Sequence, residues 1–150
     1  ARGLTRRFLL LPHVPVWFMA FGVGLMSPVS YPIAHALIDA LLGAVAAGDV
    51  GRHFPPGDSA WKDADSMELL ARSVAILGER GYRPSNVDVV VICERPKMAP
   101  VADAMRRRLA EVLGIGVEAV SLKGKTNEGM GWIGAGEGLA VHAVALVEPA

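Results

Sequence analysis

Two short stretches of this chain carry residues able to do chemistry. The first is His35-Ala36-Leu37-Ile38-Asp39, followed past Gly43 by Gly48-Asp49-Val50-Gly51-Arg52-His53. On a helix of 3.6 residues per turn, His35 and Asp39 lie one turn apart on one face. An imidazole and a carboxylate projecting together can hold a metal ion or shuttle a proton. They can equally be a core histidine satisfied by its own carboxylate, and both readings stand at this point. The Gly-Asp-Val-Gly turn suits close backbone approach to a ligand. His53, beside Arg52, reads as a loop residue near that ligand, while His13 and His142 read as structural.

The second stretch is glycine-rich, from Gly124 to Gly138. Gly129-Met130-Gly131-Trp132-Ile133-Gly134 has the spacing of a dinucleotide-binding turn. That site needs a helix opening at the last glycine. Here another glycine-rich turn and a strand are expected instead, so a Rossmann site is rejected. Gly124-Lys125-Thr126 matches the end of a P-loop, but Ala119 stands where its first glycine belongs. What remains is a loop after a strand, bearing backbone N–H groups, Lys125, Thr126 and Glu128. These can contact phosphates, with Glu128 taking a hard cation between them. A plain surface turn between two strands fits the same pattern.

The elements around these stretches follow from hydrophobic period and breakers. Leu37, Ile38, Leu41, Leu42 and Val45 form the apolar stripe of a helix from about Ile33 to Ala47, with Pro32 at its start and Gly48 at its end. Asp49 to Lys62 reads as loop. Asp65 with Glu68 three residues on is a capping-box pattern, and the helix it opens ends at Gly81. Asn86–Glu94 is β-branched and apolar, as a central strand requires. A third helix is expected over Val101–Leu113, with Met105, Leu109 and Leu113 inward and Arg106, Arg107 and Arg108 on a solvated face. Strands at Ala119–Lys123 and Leu139–Val147 complete an α/β sandwich, a mixed sheet with helices on one face.

The chain has 150 residues, enough for one domain with a sizeable core. Lys plus Arg and Asp plus Glu are 15 each, so no basic footprint marks a nucleic-acid backbone as partner. Cys93 is the single cysteine, which excludes an intrachain disulfide and a Cys-based zinc site, and suggests a reducing compartment such as the cytoplasm. Residues 1–32 stand apart as an apolar segment: Arg2, Arg6 and Arg7 precede an apolar run from Phe8 to Met26, and no acidic residue occurs before Asp39. Pro12 and Pro15 interrupt that run, which favours two buried strands, Leu9–Leu11 and Val16–Phe21, over a membrane anchor.

Taken together, HALIDALLGAVAAGDVGRHFPP, DADSMELL, NVDVVVICERPKM and KGKTNEGMGWIGAGEG resemble the 2-C-methyl-D-erythritol 2,4-cyclodiphosphate synthases of non-mevalonate isoprenoid synthesis, over residues 33–147. The resemblance implies a homotrimer with active sites between neighbouring subunits. It implies cyclisation of a CDP-linked methylerythritol phosphate: the 2-phosphate attacks the β-phosphorus and CMP leaves. His35 then corresponds to one zinc ligand, and Glu128 to the carboxylate near a magnesium ion. Asp49 and Gly51 correspond to residues at the ribose and substrate, and Pro96, Lys97 and Met98 to the segment around cytosine. Lys125 and Thr126 correspond to the phosphate-binding stretch, so that Lys125, Thr126 and Glu128 form the catalytic group. Trp132 falls where the family has an aromatic near the trimer axis.

Three positions depart from the family pattern. Its Asp-x-His zinc motif should fall at residues 1–3, which read Ala1-Arg2-Gly3, so the zinc site is incomplete. Its His-Ser-Asp-x-Asp-Val stretch is replaced by Ser27-Pro28-Val29-Ser30-Tyr31-Pro32, and a loop arginine by Ala135. A shifted reading frame, an altered N-terminus and a degenerate paralogue all fit the abrupt change near residue 32. The alternative to an active synthase is a trimeric, cytidine-nucleotide-binding pseudoenzyme; a third reading is a membrane-anchored interaction protein with a vestigial site.

Overall fold

The protein is described by a computed structural model covering residues 29–61 and 63–150. The strands expected at Leu9–Leu11 and Val16–Phe21, and His13, lie outside the described residues. In chain order the elements are α1 (Ser30–Ala44), α2 (Val50–His53), α3 (Ser66–Glu79), β1 (Tyr82–Ile92), α4 (Ala99–Leu113), β2 (Val120–Lys125), α5 (Gly131–Gly134) and β3 (Ala140–Pro149). Short 3-10 turns occupy Ser59–Trp61 and Val117–Ala119.

The described strands form one sheet in the order β2-β1-β3. β1 is parallel to β2, with Val87 opposite Val120 and Ile92 opposite Lys125. It is antiparallel to β3, with Val91 opposite Val141. Strand alternation then sorts the side chains. Val87, Val89 and Val91 are fully buried and face the helices, whereas Val144 and Leu146 of β3 stand 65% and 61% exposed on the other face. The helices pack on the Val87 face: α1 lies against β3 and α3, α3 against β1, and α4 against β2. Ile33, Leu37, Leu41, Leu70, Leu77 and Leu109 fill the layer between, all at most 1% exposed. The expected sandwich, with helices on one face of a mixed sheet, is the one seen among the described residues. No helix of the described residues is long and apolar enough to cross a membrane.

Boundaries moved for local reasons. α1 begins at Ser30 and places Pro32 in its first turn, where a missing N–H costs nothing. It ends at Ala44 and not at Ala47, because Ala46 takes the left-handed conformation (φ 52°) two residues before Gly48. The Ala47 N–H then reaches Leu42 O at 2.8 Å, closing a Schellman-type end. Asp65 caps α3 as expected, its Oδ1 accepting the Met67 N–H at 3.0 Å. The other half of the capping box is replaced: Glu68 reaches forward to Arg72 at 2.7 Å. β1 starts at Tyr82, ahead of the expected Asn86. Pro84 is tolerated there because β2 pairs only from Val87 onward, leaving that edge free, and a register shift falls between Pro84 and Asn86.

Arg106 corrects the solvated-face reading of α4. Its Nε donates to Val120 O at 2.8 Å and its Nη2 to Val117 O at 2.9 Å, tying α4 to the start of β2. The stretch read as loop from Asp49 to Lys62 contains α2, and the glycine-rich loop contains α5.

Candidate functional site

The first cluster is built by α1 and the turn into α2. His35 is half-buried on α1 and its ring stacks on Tyr31 with centroids 3.9 Å apart. Its Nε2 is buried and has no hydrogen-bond partner among the described residues. Burial pushes the imidazole pKa down from its ordinary value, and the nearby Asp39 carboxylate opposes this only in part. Asp39 does not satisfy the histidine. Its Oδ1 accepts the Val50 N–H at 2.8 Å instead, so the carboxylate anchors the Gly-Asp-Val-Gly turn to α1. Asp49 caps α2, its Oδ1 accepting the Arg52 N–H at 2.9 Å. Gly48 sits at φ 96°, where a side chain is strained, and a methyl group there would also meet Arg52 Cδ at 2.8 Å. His53 serves the turn itself: Nε2 donates to Ala47 O at 2.8 Å.

The second cluster is built by the adjacent ends of two parallel strands. Because Ile92 pairs with Lys125, the segments that leave β1 and β2 emerge side by side. The Cys93 N–H extends the pairing by donating to Lys125 O at 2.9 Å. Met98 is buried beside Gly124, where an added methyl would fall 2.6 Å from Met98 Cβ. Pro96 is buried and Lys97 exposed next to it, with a cis peptide between Arg95 and Pro96. Lys125 and Glu128 are exposed, Thr126 half-buried. Thr126 Oγ1 donates to Glu128 Oε1 at 2.9 Å, and Glu128 holds the left-handed conformation at φ 52°. The fold thus gathers Pro96, Lys97, Met98, Lys125, Thr126 and Glu128 at one sheet end.

The sequence reading missed Glu94. Its Oε1 accepts the Asn127 N–H at 2.9 Å and the Gly129 N–H at 3.4 Å. Two of the loop amides expected to be free for phosphate are therefore engaged by the chain's own carboxylate. The available signal was a charged residue ending an apolar strand. Further along, α5 closes the loop: Gly134 lies against the Gly129 backbone so closely that a Cβ there would overlap Gly129 C. Trp132 is 55% exposed, with Gly138 beneath its ring. His142 is exposed on the open sheet face, opposite Val90.

The two clusters keep their hydrogen bonds to themselves. Those of Asp39 and Asp49 stay within α1 and α2; those of Glu94, Thr126 and Glu128 stay at the β1–β2 end. As to metals, no three His, Cys, Asp or Glu side chains gather to hold an ion among the described residues. His35 offers one donor atom and Glu128 one exposed carboxylate.

The YgbB family model matches residues 32–148. A 2-C-methyl-D-erythritol 2,4-cyclodiphosphate synthase from Symbiobacterium thermophilum is 55% identical over 113 residues, covering 75% of this chain and 72% of the relative. The synthase of Xanthomonas axonopodis pv. citri is 54% identical over 115 residues, covering 77% and 69%. Among solved structures, the CDP complex of IspF from Plasmodium falciparum superposes with a TM-score of 0.69 at 30% identity, covering 79% of this chain and 70% of that one.

Proposed function

The chain belongs to the YgbB family of 2-C-methyl-D-erythritol 2,4-cyclodiphosphate synthases, and from that premise we propose that it cyclises 4-diphosphocytidyl-2-C-methyl-D-erythritol 2-phosphate. An oxygen of the 2-phosphate forms a bond to the β-phosphorus. The bond from that phosphorus to the bridging oxygen breaks, and the electron pair leaves with CMP. Such a displacement asks the protein for alignment and charge neutralisation more than for covalent chemistry.

The observation that carries this reading is the meeting of Pro96-Lys97-Met98 with Lys125, Thr126 and Glu128 at two neighbouring strand ends. The first segment offers a buried apolar shelf and a cation for the cytosine side. The second offers a cation and a hydroxyl for the phosphates. Asp49 and Gly51, held in the turn before and within α2, are assigned to the ribose and the substrate.

Metal fit differs between the two clusters. Magnesium is commonly held by one or two carboxylates plus substrate phosphates, and exposed Glu128 suits that role. When bound there, it would neutralise phosphate charge. Zinc needs three or four protein donors, and among the described residues no three candidate side chains gather, at His35 or elsewhere. No step is assigned to zinc.

The sheet face left exposed among the described residues supports a homotrimer: Val144 and Leu146 stand there, a surface that copies of the chain would cover. Neighbouring subunits would then join the His35 corner of one chain to the strand-end cluster of the next. The absence of a basic surplus and the single cysteine support a small-molecule partner and a cytoplasmic setting. The test is CMP release from the CDP-linked substrate by the purified chain, with Lys125→Ala and Thr126→Ala as comparisons. Turnover that drops in both variants is expected. Tight CDP binding without CMP release would assign the chain to binding alone.

A further inference from the structure

The strand-end loop carries a tether that the reaction chemistry above does not use. Glu94 lies two residues beyond the end of β1 and two residues before Pro96, where the segment assigned to cytosine begins. Its Oε1 receives the N–H groups of Asn127 and Gly129, which flank Glu128 on both sides. Converging backbone N–H groups make a nest for an anion, and here the anion is a side chain of the same protein. Glu128 is held between them at φ 52°, with Gly129 following at φ 75°. That conformation is uncommon for a non-glycine residue, and the two hydrogen bonds on either side of Glu128 help to hold it. The loop is braced on its far side as well: Asn127 Nδ2 donates to Met130 O at 2.6 Å.

We propose that Glu94 is a positioning residue that couples the cytosine side of the site to Glu128. The inference rests on the proposed nucleotide site and goes beyond it. Glu94 Oε1 is engaged by the loop amides, so it acts through the loop. It holds the Glu128 backbone so that the carboxylate, with Thr126 Oγ1 on one oxygen, faces the space where phosphates and a cation would lie. The segment that senses the base and the loop that presents the cation ligand are joined by the Glu94 carboxylate, beyond the Cys93–Lys125 backbone bond and the Met98–Gly124 contact. A shift of Pro96-Lys97 on base binding would then reach the Glu128 backbone through the Glu94 side chain.

The test uses the full chain, CMP and CDP as probes, and Glu94→Ala with Glu94→Gln. Amide exchange of the unliganded protein comes first. Asn127 and Gly129 should be protected in the wild type and exposed in Glu94→Ala; unchanged exchange overturns the tether, whatever the ligand results. Binding comes second. CMP affinity should stay within about twofold in Glu94→Ala, while the magnesium-dependent gain in CDP affinity falls about tenfold, as loss of a hydrogen bond to a charged group implies. Glu94→Gln keeps an acceptor oxygen and should restore most of that gain.

Equal losses for CMP and magnesium-CDP in Glu94→Ala would show a purely structural residue and overturn the coupling. So would magnesium-CDP binding unchanged from the wild type. A wild-type chain that ignores magnesium-CDP altogether overturns the proposed function, and the coupling with it. That result is distinguishable because it appears without any substitution.

Discussion

The Asp39 carboxylate accepts the Val50 N–H at 2.8 Å. The residue spaced to serve His35 thereby serves the next turn, and the buried imidazole Nε2 has no partner among the described residues. Asp39→Ala should release the Gly48–Gly51 turn from α1. Since the bond is exposed, the expected cost is about 1 kcal/mol, read from urea unfolding. Asp39→Asn keeps an acceptor and should recover much of it. Equal losses in both variants would show that the charge matters and the hydrogen bond does not.

His35→Ala bears on the metal question. Alanine favours the helix, so the circular dichroism of α1 should persist. Any divalent ion bound at this corner should be lost with the imidazole. Zinc titration followed by calorimetry reads this directly, and full retention of binding in the variant would place the ligands elsewhere.

Gly124 keeps β2 close to the Met98 segment. Gly124→Ala puts a methyl 2.6 Å from Met98 Cβ, a contact with no flexible end to give way. Overpacking of this kind costs about 1–3 kcal/mol and should move Met98 outward. CDP affinity should fall with stability. A variant with wild-type melting and wild-type CDP binding would show that the strand ends are not closely fitted.

Asp88 and Lys123 give a pH dependence. The Lys123 Nζ donates to Asp88 Oδ2 at 2.7 Å and holds that carboxyl below the usual carboxylate range. The folded state binds the proton less readily than the unfolded one. The stabilisation is therefore complete above the unfolded pKa, about 4, and is lost as pH falls through the lower folded value. Both side chains are nearly half exposed, so the effect is small and weakens with salt. Asp88→Asn should leave a stability difference from wild type that is flat above about pH 5 and shrinks below about pH 4. A difference unchanged down to pH 2 would assign the stabilisation to another group.

Much of the architecture is local and could be read directly. The apolar stripe of α1, the Asp65 cap, the β-branched run of β1 and the Leu113–Gly114 end of α4 are each set by neighbours within a turn or two. Helix and strand periods depend only on which face must leave water, and that pattern is written in order along the chain. The family motifs likewise named most of the strand-end cluster, because they are contiguous words.

Tertiary structure decided what those words do to one another. Nothing in the spacing of His35 and Asp39 says that Asp39 will bond Val50, since Asp39 has two acceptor oxygens and the nearest unpaired N–H lies beyond a turn. Arg106 could not be told from a solvated arginine until α4 met the start of β2. Glu94 is separated from Asn127 by the whole of α4 and β2, and only the parallel register of β1 and β2 brings its carboxylate to that amide. A hydrogen bond needs its partners within about 3 Å, a condition set by packing of distant segments and not by their order. The sequence therefore determined the elements and the residue types of the site; the approach of two strand ends decided which of those residues hold the others in place.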